Sequence, residues 1–133
     1  MIVGMGIDVC SIERMRKALE RHGDRFFRRI IGDAELADFE KLADRAQTLA
    51  GRFAAKEAFA KALDGAPGVG WHEVVIRRGP SGRPQMTLVG LARTLAFEAG
   101  AVRWHLSITH DAGVAAARSE ERRVGNECRS RWS

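Results

Sequence analysis

Glu57 and Lys61 stand four residues apart in Phe53-Ala-Ala-Lys-Glu-Ala-Phe-Ala-Lys61, a spacing that places two side chains on one face of an α-helix. Their neighbours Ala54, Ala55, Ala58, Phe59, Ala62 and Leu63 make the segment apolar over most of its circumference. Helices of that kind are buried, and a carboxylate or ammonium on one needs a partner or a chemical task. Two readings stand side by side here: an intrahelical ion pair with Lys61 reaching out to solvent, or a metal or phosphate site. Two further groups could join it. Asp8 closes the first apolar run, and His110 follows Leu106-Ser-Ile-Thr109. Carboxylates from distant parts of a chain suit magnesium when phosphate oxygens and waters complete its octahedron. Singly, Asp8 also reads as a cap or turn residue, and His110-Asp111 as the turn that ends a strand.

The elements that must position these groups follow from periodicity and from stop signals. Ile2 to Asp8 reads as a strand, with Gly4 and Gly6 admitting another backbone closely. Ser11 caps a helix with an Ile12, Met15 and Leu19 stripe, and Gly23 suits its C-terminus. Asp33 is expected to cap a second helix through Leu42. A long helix then runs from Ala46 to Leu63 and stops in Asp64-Gly-Ala-Pro-Gly-Val-Gly70, a turn whose backbone N–H groups could also face phosphates. Val74-Val-Ile76 and Gln85 to Leu88 form a hairpin around Gly79-Pro-Ser-Gly82. Val89 to Ala99 is amphipathic and helical, Trp104 to Thr109 alternates as a strand, and Val114 begins another. The expectation is a single α+β domain with helices packed on one face of a mostly antiparallel sheet.

A chain of 133 residues is long enough for one real core. No run approaches the roughly 20 apolar residues of a membrane span, and Asp8 interrupts the start too early for a signal peptide. Cys10 and Cys128 lack metal-ligand spacing. A cytoplasmic protein with no membrane partner is expected. Of the net charge of +5, residues 118–133 contribute +2 and the preceding chain +3, and in that chain Arg14, Arg16, Lys17, Arg21, Arg25, Arg28 and Arg29 crowd one short stretch. Such a cluster is either a solvated helix face or a dock for an acidic partner. Nucleic acid is not the expected partner, because the cluster lacks interleaved aromatics of the exposed type and no reading motif is present.

Residues 118–133 change character, with Val124 their only aliphatic residue. They resemble the translation of a widely used sequencing adapter, which in one frame reads Arg-Ser-Glu-Glu and continues through nearly all of the tail, with Lys expected where Asn126 stands. A domain over residues 1–117 is therefore expected to end in a strand cut short at Ala117, followed by a non-native, disordered tail over 118–133.

Three motifs carry a family resemblance. Gly6-Ile-Asp8 with Arg14 beyond it, Phe53 to Leu63, and Leu106-Ser-Ile-Thr-His110 resemble, in order and spacing, the bacterial holo-[acyl-carrier-protein] synthases, the small 4′-phosphopantetheinyl transferases. Ala50-Gly-Arg52 and Gly82-Arg-Pro84 extend the likeness over residues 1–117, with Thr109 where Ser is common. The resemblance implies that the phosphopantetheine arm of coenzyme A moves to a serine of apo acyl carrier protein, releasing adenosine 3′,5′-bisphosphate. It implies catalytic Asp8, Glu57 and Lys61, with Asp8 and Glu57 binding Mg²⁺. Arg52, Lys61 and His110 would hold coenzyme A phosphates. Two bases are open for the serine proton, a carboxylate or a water at the metal. Arg14 and Arg21 would meet the acidic carrier protein, and the family implies a homotrimer with sites between subunits.

Overall fold

The computed structural model describes residues 1–122. Strand β1 (Ile2–Ser11) leads directly into helix α1 (Ile12–Ile30), followed by a 3₁₀ turn at Asp33–Asp38, helix α2 (Ala46–Ala62) and a short 3₁₀ turn at Trp71–Glu73. Strands β2 (Val74–Arg78) and β3 (Pro84–Leu88), helix α3 (Gly90–Glu98), and strands β4 (Arg103–Asp111) and β5 (Val114–Arg122) complete the order. The α+β expectation holds, but the strands divide into two antiparallel sheets, β1-β5-β4 and the β2–β3 hairpin. The hairpin is tied beside β4 by the Trp104 indole N–H, which donates to the Met86 carbonyl at 2.7 Å.

Helix α2 is the axis of the molecule. Its small residues let the three-stranded sheet approach closely, and the first strand answers with glycine. A Cβ added at Gly6 would overlap the Ala58 carbonyl oxygen, and one at Gly4 the Ala62 carbonyl oxygen. Backbone-to-backbone packing at this distance excludes any larger residue. The buried side of α2 also divides the core. Ala55, Ala58 and Phe59 pack with Ile76, Leu88 and Ala96, whereas Leu49 and Ala50 pack with Ile12, Phe27 and Ile30.

Three expectations are corrected. Ser11 does cap α1, accepting from the Arg14 N–H at 3.2 Å, but the helix does not end at Gly23. Gly23 interrupts it with φ of 61°, and helix then resumes so that Phe27 and Ile30 reach the core. No helix runs from Asp33 to Leu42. Glu35 is drawn inward, and its carboxylate accepts from Gly32 N–H at 3.1 Å, which tightens the segment into a 3₁₀ turn. The final strand is not cut short at Ala117, since β5 runs on to Arg122. It lies between β1 and β4, with Arg118 opposite Ile7 and Ser107, and Ser119 opposite Gly6 and Leu106. Ladder bonds on both edges sustain a polar strand, and a small residue such as Ser119 fits the inward face, where it is fully buried. The rest of the tail, 123–133, lies outside the described residues. Among the described residues no helix is long and apolar enough to cross a membrane.

Candidate active site

Asp8 and Lys61 meet where β1 crosses the C-terminal half of α2. The Lys61 ammonium donates to Asp8 Oδ1 at 2.8 Å and to the Ile7 carbonyl at 3.3 Å. The intrahelical Glu57–Lys61 pair that spacing allows is thus not formed. The Asp8 side chain is 16% exposed and that of Lys61 56%, so the lysine reaches in from solvent to a largely buried carboxylate. This hydrogen bond and the charge of Asp8 raise Lys61 above the ordinary lysine range, and Glu57 adds to the effect. Glu57 itself is half-buried and makes no ion pair or side-chain hydrogen bond among the described residues. It faces a cavity of about 290 Å³ shared with Lys61, Gly65, Val69, Gly70 and Trp71.

The donor set fits magnesium as a partial shell. Asp8 and Glu57 supply two hard carboxylates, and the described residues hold no group of three or more potential ligands. Mg²⁺ is bound in this manner when substrate phosphates and waters fill the remaining positions. The glycine-rich segment is less available than its sequence suggests. Gly65 N–H donates to Ala60 O, Ala66 N–H to Leu63 O and Val69 N–H to Ala66 O, while Gly70 N–H donates to Glu73 Oε2 at 3.2 Å. Those amides close turns rather than standing open to phosphate. Positive φ at Asp64, Gly65, Ala66 and Gly68 folds the segment back as a wall of the cavity.

Arg52 and His110 occupy the other end of α2. They line a smaller cavity, about 130 Å³, with Thr48, Gly51, Arg78 and Gly82. Gly51 makes room for the imidazole: a Cβ there would stand 3.1 Å from His110 Nε2. The guanidinium of Arg52 is buried and already engaged, donating to Ile76 O at 2.6 Å and to Asp38 Oδ2 at 3.0 Å. Burial alone would raise Asp38, but the Arg78 amide and the Arg52 guanidinium outweigh it and hold the carboxyl below its ordinary range. At 1.5 Å per residue, Arg52 and Lys61 lie about 14 Å apart along the helix. One chain therefore presents two separate clusters, Asp8–Glu57–Lys61 and Arg52–Arg78–His110.

Sequence reasoning missed Arg78 and a second buried pair. Lys56 donates to Glu35 Oε1 at 2.8 Å, to Ile30 O at 2.6 Å and to Trp71 O at 2.8 Å. Burial pushes its ammonium below the ordinary lysine range, against the pull of Glu35. The signal was present in the sequence, since Lys56 sits one position off the Glu57–Lys61 ridge and so points into the apolar side of α2. On α1, Arg14 and Arg21 are exposed. Arg16 is paired with Glu13 and Asp44, and Arg28 with Asp24 and Asp33. Among the described residues Arg14, Lys17, Arg21, Arg25 and Arg29 have no ion pair, which leaves a stripe of open positive charge.

Residues 4–117 match the family described as the 4′-phosphopantetheinyl transferase superfamily. A holo-[acyl-carrier-protein] synthase of Salinispora arenicola is 45% identical over 120 residues, spanning 88% of this chain and 95% of that protein. A crystal structure of the Helicobacter pylori holo-[acyl-carrier-protein] synthase in complex with coenzyme A is 30% identical, covering 89% of this chain and 99% of that one, with a TM-score of 0.77. The Bacillus anthracis synthase with bound coenzyme A (3′,5′-ADP) is 31% identical, covering 93% and 99%, with a TM-score of 0.74. With both clusters inside the matched residues, the chain belongs to the 4′-phosphopantetheinyl transferase superfamily, in its holo-[acyl-carrier-protein] synthase family.

Proposed function

We propose that the chain transfers the 4′-phosphopantetheine arm of coenzyme A to a serine hydroxyl of an acidic apo acyl carrier protein in the cytoplasm, with Mg²⁺, and releases adenosine 3′,5′-bisphosphate. The observation that carries this reading is that Lys61, bonded to Asp8, shares one cavity with Glu57, so that two carboxylates for a cation stand beside one ammonium for phosphate. The serine oxygen forms a bond to the β-phosphorus, and the bond from that phosphorus to the bridging oxygen breaks. Asp8 and Glu57 would hold the metal, which supplies charge neutralisation on the departing bisphosphate. Lys61 exchanges part of its contact with Asp8 for a phosphate oxygen, acting as a point charge. The serine proton leaves as the new bond forms, and Asp8 and Glu57 are the bases this chain supplies at the cavity. Positioning and electrostatics do most of the work, as in phosphoryl transfer generally.

Two features favour a homotrimer with shared sites. The Arg52–Arg78–His110 cluster is too far along α2 to grip the same pyrophosphate as Lys61, so a neighbouring copy would bring its own cluster to the far end of coenzyme A. The face of β1 turned away from α2 also exposes Met5, Ile7 and Val9, at 52%, 65% and 63%, an apolar row suited to burial against another subunit. The open stripe including Arg14 and Arg21 is the surface for the carrier protein. The deciding experiment incubates the chain with Mg²⁺, coenzyme A and apo acyl carrier protein, and reads the mass of the carrier. A phosphopantetheine mass increase that Glu57→Gln abolishes is expected. No increase with the unmodified chain would refute the reading.

A further inference from the structure

The Lys56 ammonium is almost wholly buried, with the residue 3% exposed and its partner Glu35 at 0%. Its three protons go to three acceptors on different elements: the Ile30 carbonyl at the end of α1, the Glu35 carboxylate, and the Trp71 carbonyl. Glu35 spreads the tie further, because Oε2 accepts from the Ile76 N–H of β2 at 3.0 Å. The Trp71 contact is the one that bears on chemistry. Trp71 and Gly70 form the wall of the cavity facing Glu57 and Lys61, and the Trp71 ring stacks on Phe53 of α2 with centroids 5.2 Å apart.

That wall is not self-supporting. The chain reaches it through Asp64 and Ala66, both non-glycine residues with positive φ, at 54° and 43°. Left-handed backbone at such residues persists only where the surroundings over-determine it. At the far side the segment is held by Glu73, whose carboxylate accepts from Gly70 and Ala92 N–H groups, and by Lys56. Lys56 is adjacent to Glu57 in sequence, so one helical turn carries both a cavity carboxylate and the anchor for the opposite wall.

We propose that Lys56 is a positioning residue: its ammonium, seated on Glu35, holds the Trp71 carbonyl and thereby sets the width of the coenzyme A cavity between Glu57–Lys61 and the glycine-rich wall. It need not touch substrate to do so. The assignment rests on the transferase reading of that cavity. It differs from a purely structural ion pair in what it predicts, since a slack wall weakens ligand binding more than the chemical step.

The test compares wild type, Lys56→Met and the double variant Glu35→Gln/Lys56→Met. The single variant leaves the Glu35 carboxylate buried without its counter-charge and can fail to fold. The double variant removes that charge and still deprives Trp71 O of its donor. In the double variant we expect the KM for coenzyme A to rise about tenfold with kcat within about threefold of wild type. A second readout needs no activity: acrylamide quenching of Trp71, alone in a Trp104→Phe/Trp132→Phe background, should increase on loss of Lys56. A KM within about twofold of wild type, or unchanged Trp71 quenching in a folded double variant, overturns the proposal. Absence of transfer by wild type refutes the transferase reading instead, and leaves the quenching result to decide the anchor.

Discussion

At the scale of single residues, charge pairing decides more than charge content. Lys61 has two carboxylates on offer and takes Asp8, which leaves Glu57 without a partner among the described residues. On the transferase reading, Glu57→Gln lowers kcat by on the order of 10²–10³-fold, the scale of losing one electrostatic contact in a dry site. Chelation of magnesium should stop transfer and leave the thermal unfolding curve in place, measured by circular dichroism. Asp38 gives a stability prediction with a definite sign. Its folded pKa is depressed, so it contributes stability above its unfolded value of about 4, and that stability is lost as pH falls through the lower folded value. Asp38→Asn should therefore flatten the acid limb of stability against pH. It should also cost about 3 kcal/mol at neutral pH by leaving the buried Arg52 uncompensated, as denaturant titration at several pH values will measure.

At the scale of elements, the close seating of α2 on β1 is the feature most sensitive to one methyl group. Gly6→Ala forces a Cβ into the Ala58 carbonyl oxygen, and a loss of about 3 kcal/mol in chemical denaturation is expected, because neither partner is a flexible side chain. Helix α1 carries the opposite kind of prediction. Arg14→Glu and Arg21→Glu should raise the KM for carrier protein about tenfold, with a shallower salt dependence, and leave coenzyme A binding unaltered. Both elements were legible in the sequence, from the Gly4 and Gly6 pair and from the Ser11 cap. The candidate residues Asp8, Glu57, Lys61, Arg52 and His110 could be picked out as motifs too, but not which of them meet, because the Lys61–Asp8 bond and the seat of His110 against Gly51 join residues far apart in sequence. The fate of the Asp33 segment was hidden for a similar reason. Glu35 leaves solvent for Lys56, 21 residues away in sequence, and no local pattern marks such a pair. The expected stop at Ala117 failed because composition describes what a strand exposes, whereas β5 is held by neighbours on both edges.

At the scale of the whole molecule, the exposed row of Met5, Ile7 and Val9 should be covered in the working assembly. Ile7→Glu is expected to convert a trimer to monomers in light scattering, and to lower activity by at least about tenfold if each site borrows a neighbour's His110. A wild-type chain that is monomeric at working concentration would contradict this. The position of β5 also has a consequence for how the chain is made. Ile2 pairs with Arg122 and Ser11 with Val114, so the first strand to leave the ribosome waits for the last one described. Until β5 arrives, β1 and β4 are two bare edges, each a template for pairing with another chain. Folding of this sheet is thus a closing event of synthesis, slow to nucleate because its contacts are distant in sequence. A nascent chain halted before Val114 would be an aggregation hazard that chaperones must shield, although all of the residues assigned to chemistry have by then been made.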